Sequence, residues 1–99
     1  MKPFRVKVLA LAEKDLINIW LSIAEHSSVN ADRFLDLLNS RIDSLADFPD
    51  RGVARSDIAR NARILIEGNY LIFYRKLITD VEVLRVVHGA MDLQNLKSV

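Results

Sequence analysis

The chain has no cysteine, only three glycines and two prolines in 99 residues, and 14 Lys and Arg that almost cancel 13 Asp and Glu. Each scarcity excludes something. Without cysteine there is no disulfide framework, no thiolate zinc site and no cysteine nucleophile. No apolar run approaches the roughly 18 to 20 residues needed to span a bilayer, because Glu13, Lys14, Asp15 and Asn18 interrupt the longest helical candidate. Glycine-rich phosphate loops and a His-Glu-x-x-His helix are also missing. A formal charge of +1 argues against a generic nucleic-acid binder, which is held by many phosphate contacts.

What is present is apolar. Half of the residues, 51%, are hydrophobic, which excludes intrinsic disorder and predicts one globular domain over residues 1–99. The start, Met1-Lys2-Pro3-Phe4-Arg5, is cationic, but Val6-Lys7-Val8 then alternates and does not form an uncharged signal core, so a cytoplasmic protein is expected. The charge is unevenly spread. Residues 1–50 hold six basic and eight acidic groups, residues 51–99 eight basic and five acidic, giving −2 and +3.

Hydrophobic periodicity divides the chain into elements. Residues 4–9 alternate as a half-buried strand does, with Phe4, Val6 and Val8 on one side. Leu16, Ile19, Trp20 and Ile23 recur at three and four residue steps and predict a helix over about residues 12–26. Ser27-Ser28-Val29 breaks the pattern, and Asn30 is a suitable N-cap for a second helix from about residue 31 to Phe48, stopped by Pro49. Residues 50–61 read as a connecting loop. Residues 64–66, 70–77 and 81–88 return to the strand period, separated by Gly68-Asn69 and Thr79-Asp80. The expected architecture is α+β: an N-terminal strand, a two-helix antiparallel hairpin, then a three-stranded antiparallel meander, with both helices on one face of a single sheet.

Two-residue turns would pair Glu67 with Tyr70, Leu65 with Ile72 and Arg63 with Tyr74, then Ile78 with Val81 and Tyr74 with Arg85. Arg63, Tyr74 and Arg85 would then form one row. The opposite set, Ile64, Ile66, Leu71, Phe73, Leu84 and Val86, is more uniformly aliphatic and is expected beneath the helices. That leaves the arginine row on the uncovered face, with Leu65, Ile72 and Val87 beside it as apolar contact surface. Guanidinium groups take carboxylates or phosphates bidentately and stack on aromatic rings, so the row suits an anionic or planar partner. The alternative is that the arginines only solvate an open sheet and pair with local acids such as Glu67 or Glu82.

Other groups suggest less. His26 and His88 lie in different elements, and a lone strand-end histidine is usually a hydrogen-bonded structural residue. A triad built from His88, Ser56 or Ser98 and Asp92 has no supporting pattern. Asp32, Asp36, Asp43 and Asp47 on the second helix make a solvated face, so no metal site and no cofactor are expected. Trp20 is expected in helix packing.

The second half carries a family pattern: Pro49-x-x-Gly52, then Ala62-Arg63-Ile64-Leu65, Gly68-x-Tyr70-Leu71-Ile72-Phe73-Tyr74-Arg75 and Val83-Leu84-Arg85-Val86-Val87-His88-Gly89-Ala90-Met91-Asp92. With Ala12-x-x-Asp15-Leu16-x-x-Ile19 near the start, it resembles the ParE-type toxins of the RelE/ParE superfamily over nearly the whole chain. The resemblance implies a bacterial type II toxin, neutralised by a ParD-like antitoxin whose disordered tail folds along it, in a hetero-oligomer. It implies inhibition of DNA gyrase without a catalytic residue, and no sequence-specific DNA binding or membrane partner. It also implies that the N-terminal strand joins the sheet. Arg63, Tyr74, Arg85, Leu65, Ile72, Val87, His88, Met91 and Asp92 are the resulting partner-contact candidates. The sister branch, typified by RelE, implies instead a ribosome-dependent mRNA endonuclease, though residues 93–99 offer no Tyr or His as acid or base. A degenerate toxin kept only as a binding module is the third reading.

Overall fold

The computed structural model describes residues 2–89. Strand β1 (Arg5–Val8) leads into helix α1 (Ala10–Ala24) and helix α2 (Ser28–Asp43), which continues as a 3₁₀ turn (Ser44–Ala46). Strands β2 (Val53–Ala54), β3 (Ala62–Glu67), β4 (Tyr70–Lys76) and β5 (Asp80–His88) follow. They form one sheet in the order β1-β5-β4-β3-β2, in which β1 runs parallel to β5 and the other pairs are antiparallel. The α+β architecture is therefore as expected, and the N-terminal strand does join the sheet. Asp80 fixes that edge by pairing with Arg5 at 2.9 Å and Lys7 at 3.1 Å. Lys7, then Arg5, holds its carboxyl below the ordinary range.

Helix boundaries differ from the periodic reading by two to five residues. Ser27, rather than Asn30, caps α2: its hydroxyl accepts the Asn30 backbone N–H at 3.2 Å, so the helix starts at Ser28. Periodicity begins only where the core does, at Ala31, and so misses the first exposed turn. Among the described residues no helix is long and apolar enough to cross a membrane.

The face assignment is reversed. Helices α1 and α2 cover Leu65, Ile72, Tyr74, Val81, Val83 and Val86, which pack with Ala12, Ile19, Leu38, Ile42 and Leu45. On the other side Ile64, Phe73 and Val87 pack beneath Ile58 and Ala59 of the segment before β3. Both faces are thus apolar, because a loop shields the second, and aliphatic content alone does not tell them apart. Of the six residues expected under the helices only Val86 belongs to the helix-side cluster.

The β3–β4 hairpin has the expected register, with Glu67 opposite Tyr70, Leu65 opposite Ile72 and Arg63 opposite Tyr74. Gly68 supplies the left-handed conformation (φ 59°) that a two-residue turn requires. The β4–β5 register is not as expected. Lys76 faces Val81 and Tyr74 faces Val83, whereas Arg85 faces Phe73. The turn is wider, closed by the Leu77 N–H donating to the Asp80 carbonyl at 2.8 Å. Leu84 is then left over as a bulge between the two registers, and this puts Val86 on the helix side.

Candidate functional site

The displaced register takes the three-residue row apart. Arg63 and Tyr74 remain neighbours, but on the helix side of the sheet, past the end of α2, where residues 47–53 cross over them. Tyr74 is fully buried. Its hydroxyl donates to the Pro49 carbonyl at 2.7 Å and accepts the Gly52 N–H at 2.8 Å. The Arg63 guanidinium donates to the Gly52 carbonyl at 2.9 Å and the Asp50 carbonyl at 3.2 Å. Lys76 reaches the Asp50 carboxylate at 2.9 Å and holds it below its ordinary pKa.

These groups are committed to fastening a loop. Burial pushes the Tyr74 phenol above its ordinary value of 10.0, while the Gly52 N–H and Arg63 pull the other way. A phenol whose folded pKa is raised contributes stability that is complete below pH about 10 and is lost as pH climbs through the raised value. Alkaline titration by phenolate absorbance should therefore show one tyrosine ionising late, together with unfolding. Tyr74→Phe should remove that late step.

Arg85 sits elsewhere. Strand β1 ends at Val8, so among the described residues β5 beyond Val83 has no strand on that edge, and α1 runs along it. Asp15 of α1 takes the Arg85 guanidinium through both oxygens, at 2.8 and 3.0 Å, and also accepts the Val86 backbone N–H at 2.9 Å. One carboxylate thus satisfies the strand edge and the cation. Leu65, Ile72 and Val87, expected as exposed contact surface, are buried. His88 is half-buried, edge-on to Tyr70 at 5.6 Å. Its Nδ1 is buried without a hydrogen-bond partner among the described residues. Met91 and Asp92 lie outside the described residues.

The exposed chemistry lies away from the expected arginine row, and Ile66, expected beneath the helices, is part of it. Val53 (68% exposed) and Ile66 (61%) border a shallow groove of about 370 Å³ on the loop side of the sheet, lined also by Arg55, Ile64, Leu71 and Gly89. The groove lies at the rim because β2 pairs only with Arg63 and Ile64 of β3, leaving residues 65–67 without a further strand among the described residues. Beyond the end of α2, Phe48 is 60% exposed, with the Arg51 guanidinium 5.6 Å from its ring centre. For Val53 the signal was available as a large apolar residue inside a stretch read only as polar loop, and Phe48 stood at the end of the expected second helix.

Solved structures share this fold. The chromosomal ParDE system from P. aeruginosa superposes with a TM-score of 0.73 at 16% identity, covering 86% of this chain and 95% of that one. The toxin-antitoxin complex RelBE2 from Mycobacterium tuberculosis gives 0.65 at 23% identity, covering 87% and 98%. At such identities the likeness is one of fold. In sequence, Toxin RelE1 of Caulobacter vibrioides is 32% identical over 87 residues, which are 87% of this chain and 94% of that protein. The model of the family described as the ParE toxin of the type II toxin-antitoxin system, parDE, matches residues 6–93. The chain belongs to this ParE toxin family, within the RelE/ParE superfamily.

Proposed function

We propose that the protein is a toxin that acts by binding rather than by catalysis, that its target is DNA gyrase, and that an antitoxin neutralises it. The observation supporting a non-catalytic reading is the internal commitment of the sheet residues. A ribonuclease built on Arg63, Tyr74 and Arg85 would need them facing a phosphate within reach of one another. Instead Tyr74 is buried under the loop it fastens, Arg63 serves the same loop, and Arg85 is tied to Asp15. A transition-state clamp needs donors aimed at developing charge, and these are aimed at carbonyls and a carboxylate of the chain itself.

The test has two arms. Purified gyrase assayed for supercoiling with and without the protein should be inhibited; undiminished supercoiling would remove gyrase as target. Cuts in translated mRNA, mapped by primer extension after induction, would establish the endonuclease reading instead.

For the antitoxin, the groove at Val53, Ile66 and Leu71 offers an apolar floor, with Arg55 at its rim. It suits an extended segment that alternates apolar and acidic side chains, docked beside the free part of β3. Ile66→Lys is expected to leave the fold intact, since the side chain is already mostly exposed. It should weaken antitoxin binding by about tenfold or more, measured by titration calorimetry. Unchanged affinity would move the antitoxin to another face.

A further inference from the structure

The Pro-x-x-Gly motif is the one sequence feature that neither the core nor the groove explains. Its geometry is a platform. The Arg51 N–H donates to the Phe48 carbonyl at 3.1 Å, closing a turn with Pro49 at its second position, where a fixed φ suits the bend. Phe48 and Arg51 are the two ends of that turn, so their side chains stand together, and Arg51 also donates to the Ser44 hydroxyl at 2.9 Å. Beneath, the turn is held at the Pro49, Asp50 and Gly52 backbone by Tyr74 and Arg63, and at the Asp50 carboxylate by Lys76.

So much hydrogen bonding under a short loop would be unremarked if the loop presented only polar groups. This one holds an aromatic ring 60% exposed to water with a cation beside it. Tryptophan, tyrosine and arginine, with other large apolar anchors, dominate binding energy at protein interfaces, and a fastened loop avoids the ordering cost of a mobile one. Among the described residues Arg51 has no carboxylate within ion-pair distance.

We propose that the turn 48–51 is the element that grips the target, and that it takes a protein surface offering a carboxylate beside an apolar patch. This rests on the reading that the protein acts by binding. Lys76 neutralises Asp50, and exposed Asp47 lies just outside the turn, so the turn presents the single cation of Arg51 and not the cationic cluster that a polyphosphate backbone takes. A single carboxylate can still be taken bidentately by Arg51 while Phe48 covers the apolar neighbour. Tyr74 and Arg63 are positioning residues that act through the turn.

The experiment expresses the full chain without antitoxin in a bacterial host and compares wild type with Phe48→Ala, Arg51→Ala and Arg51→Glu. Loss of growth arrest at matched protein levels is expected, needing about thirtyfold more toxin for Phe48→Ala and Arg51→Glu. Melting temperature and antitoxin affinity should stay as in wild type, because both side chains are outside the core and the groove. Full arrest by the Phe48→Ala and Arg51→Glu variants, alongside an active wild type, would overturn this proposal and leave the binding toxin intact. Tight binding of a short DNA duplex that Arg51→Glu abolishes would also overturn it, by making the partner a nucleic acid. A wild type that arrests nothing would refute the toxin reading and the proposal together.

Discussion

Replacing Asp15 by alanine is expected to destabilise the fold by about 3 kcal/mol, seen as a lower urea midpoint at unchanged slope. The magnitude follows from how many groups share this carboxylate. It takes two donors from Arg85 and the backbone N–H of Val86, and its own side chain is only 14% exposed. Alanine removes two charge-assisted bonds from a partly buried guanidinium and the acceptor of the Val86 amide, which has no strand beside it among the described residues. Asparagine keeps one acceptor and should lose about half as much. The reverse change, Arg85→Met, keeps the Asp15 bond to Val86 and packs an apolar chain in place of a cation, so its cost should be smaller than that of Asp15→Ala. A loss below about 1 kcal/mol for Asp15→Ala would mean that the pair behaves as an ordinary surface salt bridge.

That pair also shows where sequence reading stops. The β3–β4 hairpin was legible because Gly68 marks a two-residue turn, and such a turn dictates every pairing up to Arg63 with Tyr74. The next hairpin has no glycine, its turn absorbs Leu77 to Thr79 and shifts the pairing by two residues, and the bulge at Leu84 then takes one of them back. Neither has a local signature, yet the turn's two-residue shift and the bulge's one-residue return together take Arg85 out of the expected row and bring it to Asp15 of α1. The inverted faces have a similar origin. Ile58 lies in a segment that looks polar, and one isoleucine with Ala59 and Ala62 is enough to roof Phe73 and Ile64. The exposed Val53 was hidden because it has no place in a periodic pattern, and the exposed Phe48 because it extends the apolar face of α2 past the point where the helix ends. Family likeness supplied the topology of β1, which four alternating residues could not place.

Gly52→Ala is expected to cost about 3 kcal/mol, at the upper end of what one added methyl usually does in a packed site. Backbone conformation is not the reason, because the positive-φ glycine of the described residues is Gly68. The reason is close approach. A β-carbon at Gly52 would stand 2.8 Å from the Ile64 carbonyl oxygen and 2.8 Å from Tyr74 Cε1. The loop cannot retreat cheaply, since the Gly52 N–H is bonded to the Tyr74 hydroxyl and its carbonyl to Arg63. Moving it away would break the bond that the buried phenol accepts from Gly52 and leave Arg63 without its nearest acceptor. Gly89→Ala is the control: its β-carbon would meet chiefly the Leu71 side chain, at 3.1 Å, which can rotate, so a loss under about 1 kcal/mol is expected. Chemical denaturation of the two variants gives the comparison, and equal losses would show that the loop yields as easily as a leucine. Gly52→Ala should also let Tyr74 ionise closer to its ordinary value, as water reaches the loosened loop. In the growth assay its loss of arrest should track its loss of stability, unlike that of Phe48→Ala, whose arrest should fail in a fully folded protein. The platform and the groups it presents are thereby separable: one sets where the turn stands, the other what it touches.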